Sequence, residues 1–323
     1  MRIGKLSSEE LSRLVISKTT LKNKEIVQSA GLAEDCAAIK SDKILLLTTD
    51  PITGAGSKTG RLAVTVASND VAVGGGTPVC CLLTIIAPPT STPEEIESLM
   101  SEAAEAAASM NIDIVGGHTE FSDAVNRIIV SCTMVGTAKK LIKTGGAKAG
   151  ESIVMTKSAA IEATAIIACD HREKLLAKGF TQGELDEAES YIDNISVLKD
   201  AEIAMKYEVS SMHDVTEGGV YGAVSELAEA SGLGATVYRD DISVTPLTAK
   251  ICKALKVSPM RIIGSGSILI VTPVPDKIIK ALKKAGIDAA VIGTMRSKKE
   301  ITAIGEGVNE ELKVMPDQLM TIK

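Results

Sequence analysis

The sequence predicts a two-domain α+β protein. Three observations support this fold class. A chain of 323 residues corresponds to about two domains of ordinary size. Short segments rich in β-branched residues alternate along the chain with longer segments of helical character. Finally, Lys139–Gly150 is rich in Lys and Gly and poor in bulky residues, which is typical of a boundary between folded units. We therefore expect domains at residues 1–140 and 150–323.

The composition determines which residue types build the core and which classes of ligand the protein can bind. Hydrophobic residues make up 45% of the chain but aromatic residues only 2%, so the cores must be built from aliphatic side chains. Few aromatic rings also leave few stacking platforms for single-stranded nucleic acid. The net charge of −6 disfavours DNA as a partner. A phosphorylated ligand remains compatible, because phosphate sites are local. We expect a small-molecule substrate and no nucleic acid.

The polar N-terminal segment and the spacing of the cysteines predict a cytoplasmic protein. Met1–Glu10 is polar and does not resemble a secretory signal. The longest apolar stretch, Val79–Pro89, is too short to cross a bilayer. The six cysteines show no C-x-x-C spacing, so we expect reduced thiols and no zinc site. No membrane association is expected.

The first half is expected to contain four strands and two helices. The predicted strands are Lys43–Thr48, Val79–Ala87, Asn111–Val115 and Arg127–Thr137. The predicted helices are Arg61–Val73 and Thr92–Met110. The second helix has a clear start, since Thr92 can cap it and Pro93 and two acidic residues follow in the first turn. The strand Lys43–Thr48 reads as buried and should end before Thr49–Asp50–Pro51.

The second half is also expected to mix strands and helices. The predicted strands are Ser152–Thr156, Ala235–Tyr238, Ser267–Val271 and Ala289–Ile292. The predicted helices are Ile161–Asp170, Glu184–Lys206, Glu217–Ala230 and Asp276–Ala285. The segment His213–Gly219 is expected to form a polar loop before a helix. Thr216 could cap that helix, alone or together with a phosphate role of the loop.

Acidic side chains recur in the first half at the ends of predicted elements. Glu34–Asp35 lies in a turn of small residues, Asp50 follows a strand, Asn69–Asp70 ends a helix before three glycines, and Glu120 closes a Gly-rich segment. Magnesium usually binds a few carboxylates together with phosphate oxygens. Any one of these residues alone is more often a turn former or a cap. Together they favour a site for magnesium and phosphate.

Glycine pairs supply further candidate phosphate contacts. Gly74–Gly76, Gly116–Gly117 and Gly218–Gly219 could let a phosphate approach the backbone. None fits the P-loop or the dinucleotide-binding pattern, and each could be a plain helix terminus. Gly264–Ser267 could likewise approach a purine or form a tight strand entry. Among the histidines, His118 and His213 lie in Gly-containing segments, whereas His171 reads as a surface residue.

Six segments, in order along the chain, resemble those of the AIR synthase-related superfamily. This superfamily includes AIR synthase, the HypE proteins, thiamine-monophosphate kinase and selenophosphate synthetase, and the HypE-like branch is the most similar. The resemblance covers nearly the whole chain, from about Gly31 to Ile292. The segments are Gly31–Ile39, Thr48–Gly54, Asn69–Pro78, Val115–Glu120, His213–Gly219 and Gly264–Ser267.

The resemblance implies a PurM-like architecture and an ATP-dependent activity. The strands of the N-terminal domain would form a β-barrel across a homodimer, and the C-terminal domain would be an α/β sandwich. ATP would bind in a groove between these parts with Mg²⁺ as its partner. The enzyme would phosphorylate a carbonyl or amide group of a small substrate, mainly by positioning and charge neutralisation. The resemblance to the HypE-like branch also implies a maturation protein as a binding partner.

The same resemblance assigns roles to particular residues. The implied metal ligands are Asp35, Asp50 and Asp70. The implied cofactor-binding residues are Asn69, Gly117, Thr119, Glu120, Gly218 and Gly219. The implied catalytic residues are Asp70, His118 and Asp214.

Four departures from the family pattern qualify these expectations. HypE carries a C-terminal cysteine tail, whereas the last cysteine here is Cys252, so we expect no tail cysteine as carrier. Lys157–Thr164 has Ala where relatives tend to have Gly, which removes space for a ligand. His118 stands where the kinase branch places Asp. Lys18–Ala30 lacks the reactive Gly-rich loop of selenophosphate synthetase. Two alternatives therefore stay open, a nucleotide-binding regulator without turnover and a purely structural dimer.

Overall fold

The computed structural model describes residues 4–5, 10–28, 38–39, 42, 44–53, 55–313 and 317–322. The chain forms two compact units. The first unit comprises Met1–Val71 and Gly76–Lys140, and the second comprises Ala72–Gly75 and Leu141–Lys323. Within the described ranges, no helix has both the length and the apolar character that a membrane span requires.

The first unit contains seven described strands and two α-helices. Its strands are β1 Gly4–Lys5, β2 Ile26–Gln28, β3 Ala38–Ile39, β4 Ile44–Ile52, β5 Thr77–Ala87, β6 Asp113–Phe121 and β7 Ile129–Ala138. Its helices are α1 Thr59–Val73 and α2 Pro93–Ser109. Short π and 3₁₀ turns occupy Leu11–Val15 and Ile16–Lys18.

An open five-stranded sheet forms the body of the first unit. Its strand order is β1-β6-β5-β7-β4, which leaves β4 at one edge. Only β5 and β6 run parallel, and the other neighbours are antiparallel. Burial alternates along β7, as expected for a sheet with one face on a core. The barrel across a dimer stays a prediction.

Strand β4 differs from the expectation in length and in burial. It extends to Ile52, so Asp50 and Pro51 lie inside the strand rather than after it. The prediction that this strand is buried is wrong, because the side chains of Leu45 and Leu47 are 45% and 68% exposed. An edge strand can hold Pro51, since one side of its backbone needs no ladder partner. The apolar residues of β4 predict a core strand, because nothing in the local sequence shows that this strand lies at the edge of the sheet.

Helix α2 begins as the sequence predicts. The hydroxyl of Thr92 accepts a hydrogen bond from the N–H of Glu95, and the Glu95 carboxylate accepts one from the N–H of Thr92. This capping box satisfies two donors that the first turn would otherwise leave open. Pro93 occupies the first turn at no cost, because its missing N–H has no helical partner there.

The second unit is built on a seven-stranded sheet with helices on both faces. Its strands are β8 Ser152–Thr156, β9 Ser211–Asp214, β10 Gly234–Tyr238, β11 Ile268–Thr272, β12 Ala289–Arg296, β13 Ile301–Gly305 and β14 Val308–Glu311. Its α-helices are α3 Ile161–Asp170, α4 Arg172–Leu176, α5 Gln182–Ser190, α6 Leu198–Ala204, α7 Gly219–Ser231, α8 Pro246–Leu255 and α9 Pro275–Lys284. The strand order is β14-β13-β10-β12-β8-β11-β9, with β10 and β13 parallel.

Two hydrophobic cores lie on the two faces of this sheet. Alternate residues of the central strands belong to different cores, as the period of two requires. Ile153 and Leu269 pack with residues of α7 on one face. Val154 and Ile270 pack with residues of α6 and α9 on the other face. Two faces buried under helices explain why these strands read as continuous apolar runs.

Together the two units confirm the predicted α+β class, since each combines a mainly antiparallel sheet with helices. The segment Glu184–Lys206 is not one helix, because a 3₁₀ turn at Tyr191–Asn194 separates α5 from α6. Strands β9, β13 and β14 and helix α8 are absent from the sequence prediction. These elements are short or lack a clear hydrophobic period.

Candidate functional site

The best-defined polar contact of the predicted site joins α1 to β4. The hydroxyl of Thr48 donates a hydrogen bond of 2.6 Å to Oδ2 of Asp70. Asp70 lies in the last part of α1, directly after Asn69, whose side chain is fully buried. The two residues therefore lie where the helix ends against the edge strand. This contact fixes the position of the Asp70 carboxylate.

Asp50 lies on the same face of β4 as Thr48, two residues further along the strand. The strand spacing places these two positions about 7 Å apart. Oδ2 of Asp50 is buried and accepts no hydrogen bond within the described part of the chain. A buried carboxylate oxygen without a donor is costly, and a cation would satisfy it. Asp50 and Asp70 are therefore the two described carboxylates of the predicted metal site that lie by this face of β4. Magnesium usually binds one or two carboxylates plus phosphate oxygens.

His118 and Glu120 lie on the opposite face of the same sheet. Both belong to β6, where Nε2 of His118 is 3.4 Å from Oε2 of Glu120. Each side chain is partly exposed. Thr119, between them, points to the other face and is buried. The sheet therefore separates the His118–Glu120 pair from Asp50 and Asp70.

Gly117 lies inside a strand and not in a loop. The predicted end of this strand at Val115 is wrong, because β6 continues unbroken to Phe121. Gly117 has a φ of +149°, and a side chain there would meet the carbonyl of Leu83 on β5 at 1.8 Å. Close packing between strands explains this glycine. Gly117 and Asp50 stand at the same level of the sheet, on strands β6 and β4, with β5 and β7 between them. Three strand spacings place their Cα atoms about 14 Å apart.

In the second unit, His213 and Asp214 are strand residues. The predicted polar loop is wrong at this point, since both end β9 and pair with β11. Nε2 of His213 lies 2.9 Å from Oε2 of Glu226 on α7. Asp214 is only 3% exposed. The side chains of the two residues point to opposite faces of the sheet, and His213, at 19% exposed, is less buried than Asp214.

Gly218 and Gly219 begin α7, and both have a positive φ, of +76° and +63°. The prediction that Thr216 caps this helix is wrong, because Gly218 occupies the cap in a left-handed conformation. A side chain at Gly219 would meet the carbonyl of Ile262 at 2.6 Å. The N–H of Gly218 donates a hydrogen bond of 2.7 Å to Oδ2 of Asp317.

Glu162 is an acidic residue that sequence reasoning missed. It lies in the first turn of α3 and is 3% exposed. Burial raises the pKa of Glu162 to about 7; a hydrogen bond from Ser265 opposes this shift, and the carboxylates of Asp317 and Asp214 add to it. The N–H of Ser265 lies 3.3 Å from Oε2 of Glu162. In the sequence, the feature that could have indicated a buried acidic residue is a single Glu within an Ala-rich segment.

The Gly264–Ser267 segment packs tightly against the start of α3. The hydroxyl of Ser267 donates a hydrogen bond of 2.6 Å to the carbonyl of Ser158, and Gly266 has a φ of +117° close to Asn194 and Ile195. Of the two interpretations left open, these contacts favour a tight strand entry.

Other predicted features lie apart from these contacts. Asp35 is outside the described residues. Within the part of the chain that is described, no three His, Cys, Asp or Glu side chains are close enough to hold a metal ion. A cavity of about 540 Å³ is lined by Ser57, Lys58 and Arg127, among others. It lies at the start of α1, about 17 Å along the helix from Asp70.

The buried cysteines of β5 are poor nucleophiles. Burial raises the pKa of the Cys80 thiol to about 11, and nearby Asp113 adds to the shift. The pKa of Cys81 is raised as well, first by a hydrogen bond with Cys132 and then by burial. Thiolate is the reactive form, so both residues serve as packing.

Two family models match most of the chain. Residues 33–138 match the model described as AIR synthase related protein, N-terminal domain. Residues 148–306 match the model described as AIR synthase related protein, C-terminal domain.

Curated relatives are similar over most of the chain. A protein of Methanocaldococcus jannaschii, provisionally named a hydrogenase expression/formation protein, is 27% identical over 94% of this chain and 92% of its own length. The carbamoyl dehydratase HypE of Escherichia coli is 24% identical over 84% of this chain and 79% of its own length.

Solved structures share the fold. A crystal structure of the hydrogenase maturation protein HypE in complex with ATP matches with a TM-score of 0.80 at 19% identity, covering 98% of this chain and 96% of that chain. A crystal structure of a HypE–HypF complex matches with a TM-score of 0.71 at 20% identity, covering 84% and 90% of the two chains.

Replacing Glu162 by Gln is expected to change how stability depends on pH. The folded protein holds a proton on Glu162 up to about pH 7, whereas the ordinary pKa is 4.5. Between these values the folded state binds more protons than the unfolded state. The free energy of unfolding should therefore fall as pH rises, by up to about 3 kcal/mol from this group.

Chemical denaturation between pH 4.5 and pH 8 measures this effect. We expect the free energy of unfolding of the wild type, minus that of Glu162→Gln, to fall as pH rises across that window and to level off above it. Glu229→Gln on the exposed face of α7 is the matched control and should leave the slope unchanged. A Glu162→Gln curve parallel to the wild type would contradict the assignment.

Proposed function

Since this chain belongs to the AIR synthase-related family, we propose that it is an ATP- and Mg²⁺-dependent enzyme that phosphorylates a carbonyl or amide group of a small substrate. The proposal follows the HypE-like relatives, among them a carbamoyl dehydratase and a HypE protein crystallised with ATP. The observation that carries it is the buried Oδ2 of Asp50, which has no hydrogen-bond partner in the described ranges and lies beside the Thr48–Asp70 contact.

Asp50 and Asp70 would hold the magnesium ion, with Asp35 as a third proposed ligand. Bound magnesium neutralises charge on the phosphate oxygens during transfer. Thr48 holds the Asp70 carboxylate in place through its hydrogen bond. This hydrogen bond holds the Asp70 carboxylate on the face of β4 that also carries Asp50.

The remaining residues are proposed to position the two reactants. Asn69 would contact phosphate beside the metal ligands. Gly117 and Thr119 of β6, about 14 Å away across the sheet, and Glu120 on the opposite face stay proposed contacts to other parts of the nucleotide. His118 and Glu120 form a pair that can hold or move a proton at Nε2 of His118. From the second unit, Asp214, Gly218 and Gly219 are proposed to contact the nucleotide or the substrate.

A second candidate function is a nucleotide-binding regulator without turnover. One observation favours it. Ala159 and Ala160 are buried, and Ala160 has a left-handed φ of +57°, where relatives tend to carry glycine. Two methyl groups here remove room for a substrate beside the backbone. Loss of substrate contact would leave nucleotide binding intact.

Release of ADP from ATP distinguishes these functions. Purified protein should be incubated with ATP and Mg²⁺, with and without small primary amides. We expect ADP release that a suitable amide stimulates. Binding of ATP without any ADP release would favour the regulator. Absence of binding at millimolar nucleotide would leave the structural dimer.

The Asp70→Asn variant should lose Mg²⁺-dependent ATP binding. Asparagine keeps an oxygen for Thr48 but removes the negative charge that the cation needs. We expect the ATP affinity in Mg²⁺ to fall about 10-fold or more, measured by isothermal titration calorimetry. His171→Ala, at the end of α3, is the control and should bind as the wild type does. Equal losses in the two variants would refute the proposed site.

A homodimer through the first unit is part of the proposal. Strand β4 is an edge of the five-stranded sheet. It presents Leu45 and Leu47, which are largely exposed. Unpaired edge groups and exposed apolar side chains favour association with another strand. A maturation-protein partner is also proposed, because a HypE–HypF complex shares the fold.

Replacing Leu47 by Asp should separate the dimer. The new charge would have to be buried without a partner at the interface. We expect light scattering after size-exclusion chromatography to report a monomer for Leu47→Asp and a dimer for the wild type. Leu141→Asp, a similarly exposed leucine of the second unit, is the control and should remain dimeric. A dimeric Leu47→Asp variant would place the interface elsewhere.

A further inference from the structure

A cavity of about 430 Å³ lies within the second unit, beside the end of the central strand β8. Its described lining includes Lys157 and Ser158, which follow β8, and Tyr191 in the 3₁₀ turn between α5 and α6. Thr245 at the cap of α8 and Asp288 before β12 also line it. The metal, nucleotide and catalytic residues proposed above are not part of this lining.

The ammonium group of Lys157 has no proton left for a ligand. Its Nζ lies 2.6 Å from the carbonyl of Ser196, 3.3 Å from the carbonyl of Asn194 and 3.3 Å from Oδ2 of Asp200. An ammonium group carries three N–H bonds, and these three acceptors use them all. Burial lowers the pKa of Lys157, and the Asp200 carboxylate, 1% exposed, opposes this shift. The charge of Lys157 is therefore balanced inside the protein.

Four hydroxyl groups beside the cavity form a hydrogen-bond chain with a fixed direction. The hydroxyl of Thr164 donates to the carbonyl of Ala160, which can only accept. A hydroxyl has one proton, so Thr164 must accept from Thr248 across 2.8 Å. Thr248 accepts from Thr245 at 2.9 Å, and Thr245 accepts from the hydroxyl of Tyr191 at 3.0 Å. Every proton of the chain therefore points into the protein.

The direction of this chain determines what Tyr191 can offer to a ligand. Its proton is already donated to Thr245, so its oxygen can only accept a hydrogen bond from a molecule in the cavity. Thr164 and Thr248 are 1% and 0% exposed. Reversing the chain would break the buried hydrogen bond to Ala160, which is costly. Tyr191 is therefore an acceptor for ligands.

Ser158 supplies a hydroxyl group that can bind a ligand. The residue lines the cavity and is 8% exposed. Its side chain makes no hydrogen bond within the described ranges. Buried polar groups normally have a hydrogen-bond partner, so a ligand donor in the cavity would complete the contacts of Ser158.

Asp288 gives the cavity its net charge. It is exposed and is the other charged residue of the described lining besides Lys157. A second cavity of about 200 Å³ adjoins the first, because Lys157 and Asp288 line both. The second cavity adds Asp241 and Lys283, whose charges cancel. With Lys157 balanced by Asp200, the lining carries one negative charge and favours a cation.

We propose that this cavity binds a small primary amine in its protonated form. An ammonium group has three donors and no acceptor, which suits the Tyr191 oxygen and the Ser158 hydroxyl, and its charge suits Asp288. Ile161 and Ile287 line the cavity and provide apolar surface for a short hydrocarbon body. An anionic ligand would meet a negative lining in which Lys157 has no N–H to give. This site is separate from the one in the proposed function, and either proposal can fail alone.

Three probes with the same four-carbon body isolate the effect of ligand charge. They are n-butylamine, which is protonated at pH 7 as a lysine side chain is, the neutral butyramide and the anionic butyrate. We expect an NMR titration of the wild-type protein to show that butylammonium binds about 10-fold more tightly than butyramide, and butyrate more weakly still. Butyrate binding as tightly as butylammonium would overturn the inference. Absence of butylammonium binding at tens of millimolar would overturn it as well.

The Tyr191→Phe variant tests the acceptor role of the Tyr191 oxygen. It keeps the ring and removes one acceptor, so butylammonium should bind about 10-fold more weakly, whereas butyrate binding should not weaken. An unchanged affinity for butylammonium would overturn the inference.

The Asp288→Asn variant tests the charge and keeps the experiment decisive if Tyr191→Phe fails to fold. Its backbone carbonyl, which accepts from the N–H of Lys157, is retained. Because Asp288 is exposed, we expect butylammonium to bind about 3-fold more weakly and butyramide to bind as before. Asp276→Asn, in the exposed first turn of α9, is the charge-matched control and should bind as the wild type does. Equal affinities in the two variants would contradict the role of Asp288.

The backbone amide signals locate the bound probe. Gly286 and Ile287 line the cavity, so their shifts should change as butylammonium is added. Gly183, exposed in α5, is the reference and should not shift. Shifts confined to residues outside the cavity would place the amine elsewhere and overturn the inference.

Discussion

The contact between α1 and the edge strand β4 is the constraint on which the proposed site depends. Thr48 and Asp70 are 22 positions apart in sequence and are joined by a 2.6 Å hydrogen bond. This bond holds one carboxylate at the end of a helix and beside the strand that carries Asp50. A helix that ended one turn earlier would not present Asp70 to the face of β4 that carries Asp50. The buried oxygen of Asp50 then has a physical reason to attract a cation.

The second unit uses its acidic residues differently. Glu162, Asp214 and Asp317 come from three separate parts of the chain and are buried, and the carboxylates of Asp317 and Asp214 both raise the pKa of Glu162. One proton on Glu162 and one backbone N–H from Gly218 reduce their repulsion. The stability of such an arrangement depends on pH through the raised pKa of Glu162.

Elements with a strong local signal could be predicted from the sequence, while long-range pairing could not. The capping residues of α2 and the apolar runs of β8 and β11 are local features, and their bounds were nearly right. The extension of β6 through Gly117 depends on a close approach to Leu83, which sequence spacing does not reveal. The effect of the Asp317 carboxylate on the pKa of Glu162 arises only in the folded second unit, because the two residues are far apart in sequence. The ligand roles of the acidic residues stay predictions.

Crystals of the protein soaked with Mn²⁺ and a non-hydrolysable ATP analogue would test the central claim most directly. Manganese replaces magnesium at oxygen sites and can be located by its anomalous scattering. We expect one anomalous peak about 2.1 Å from Oδ2 of Asp50 that is bonded also to Asp70. A nucleotide in clear density, with manganese bound away from both carboxylates, would contradict it.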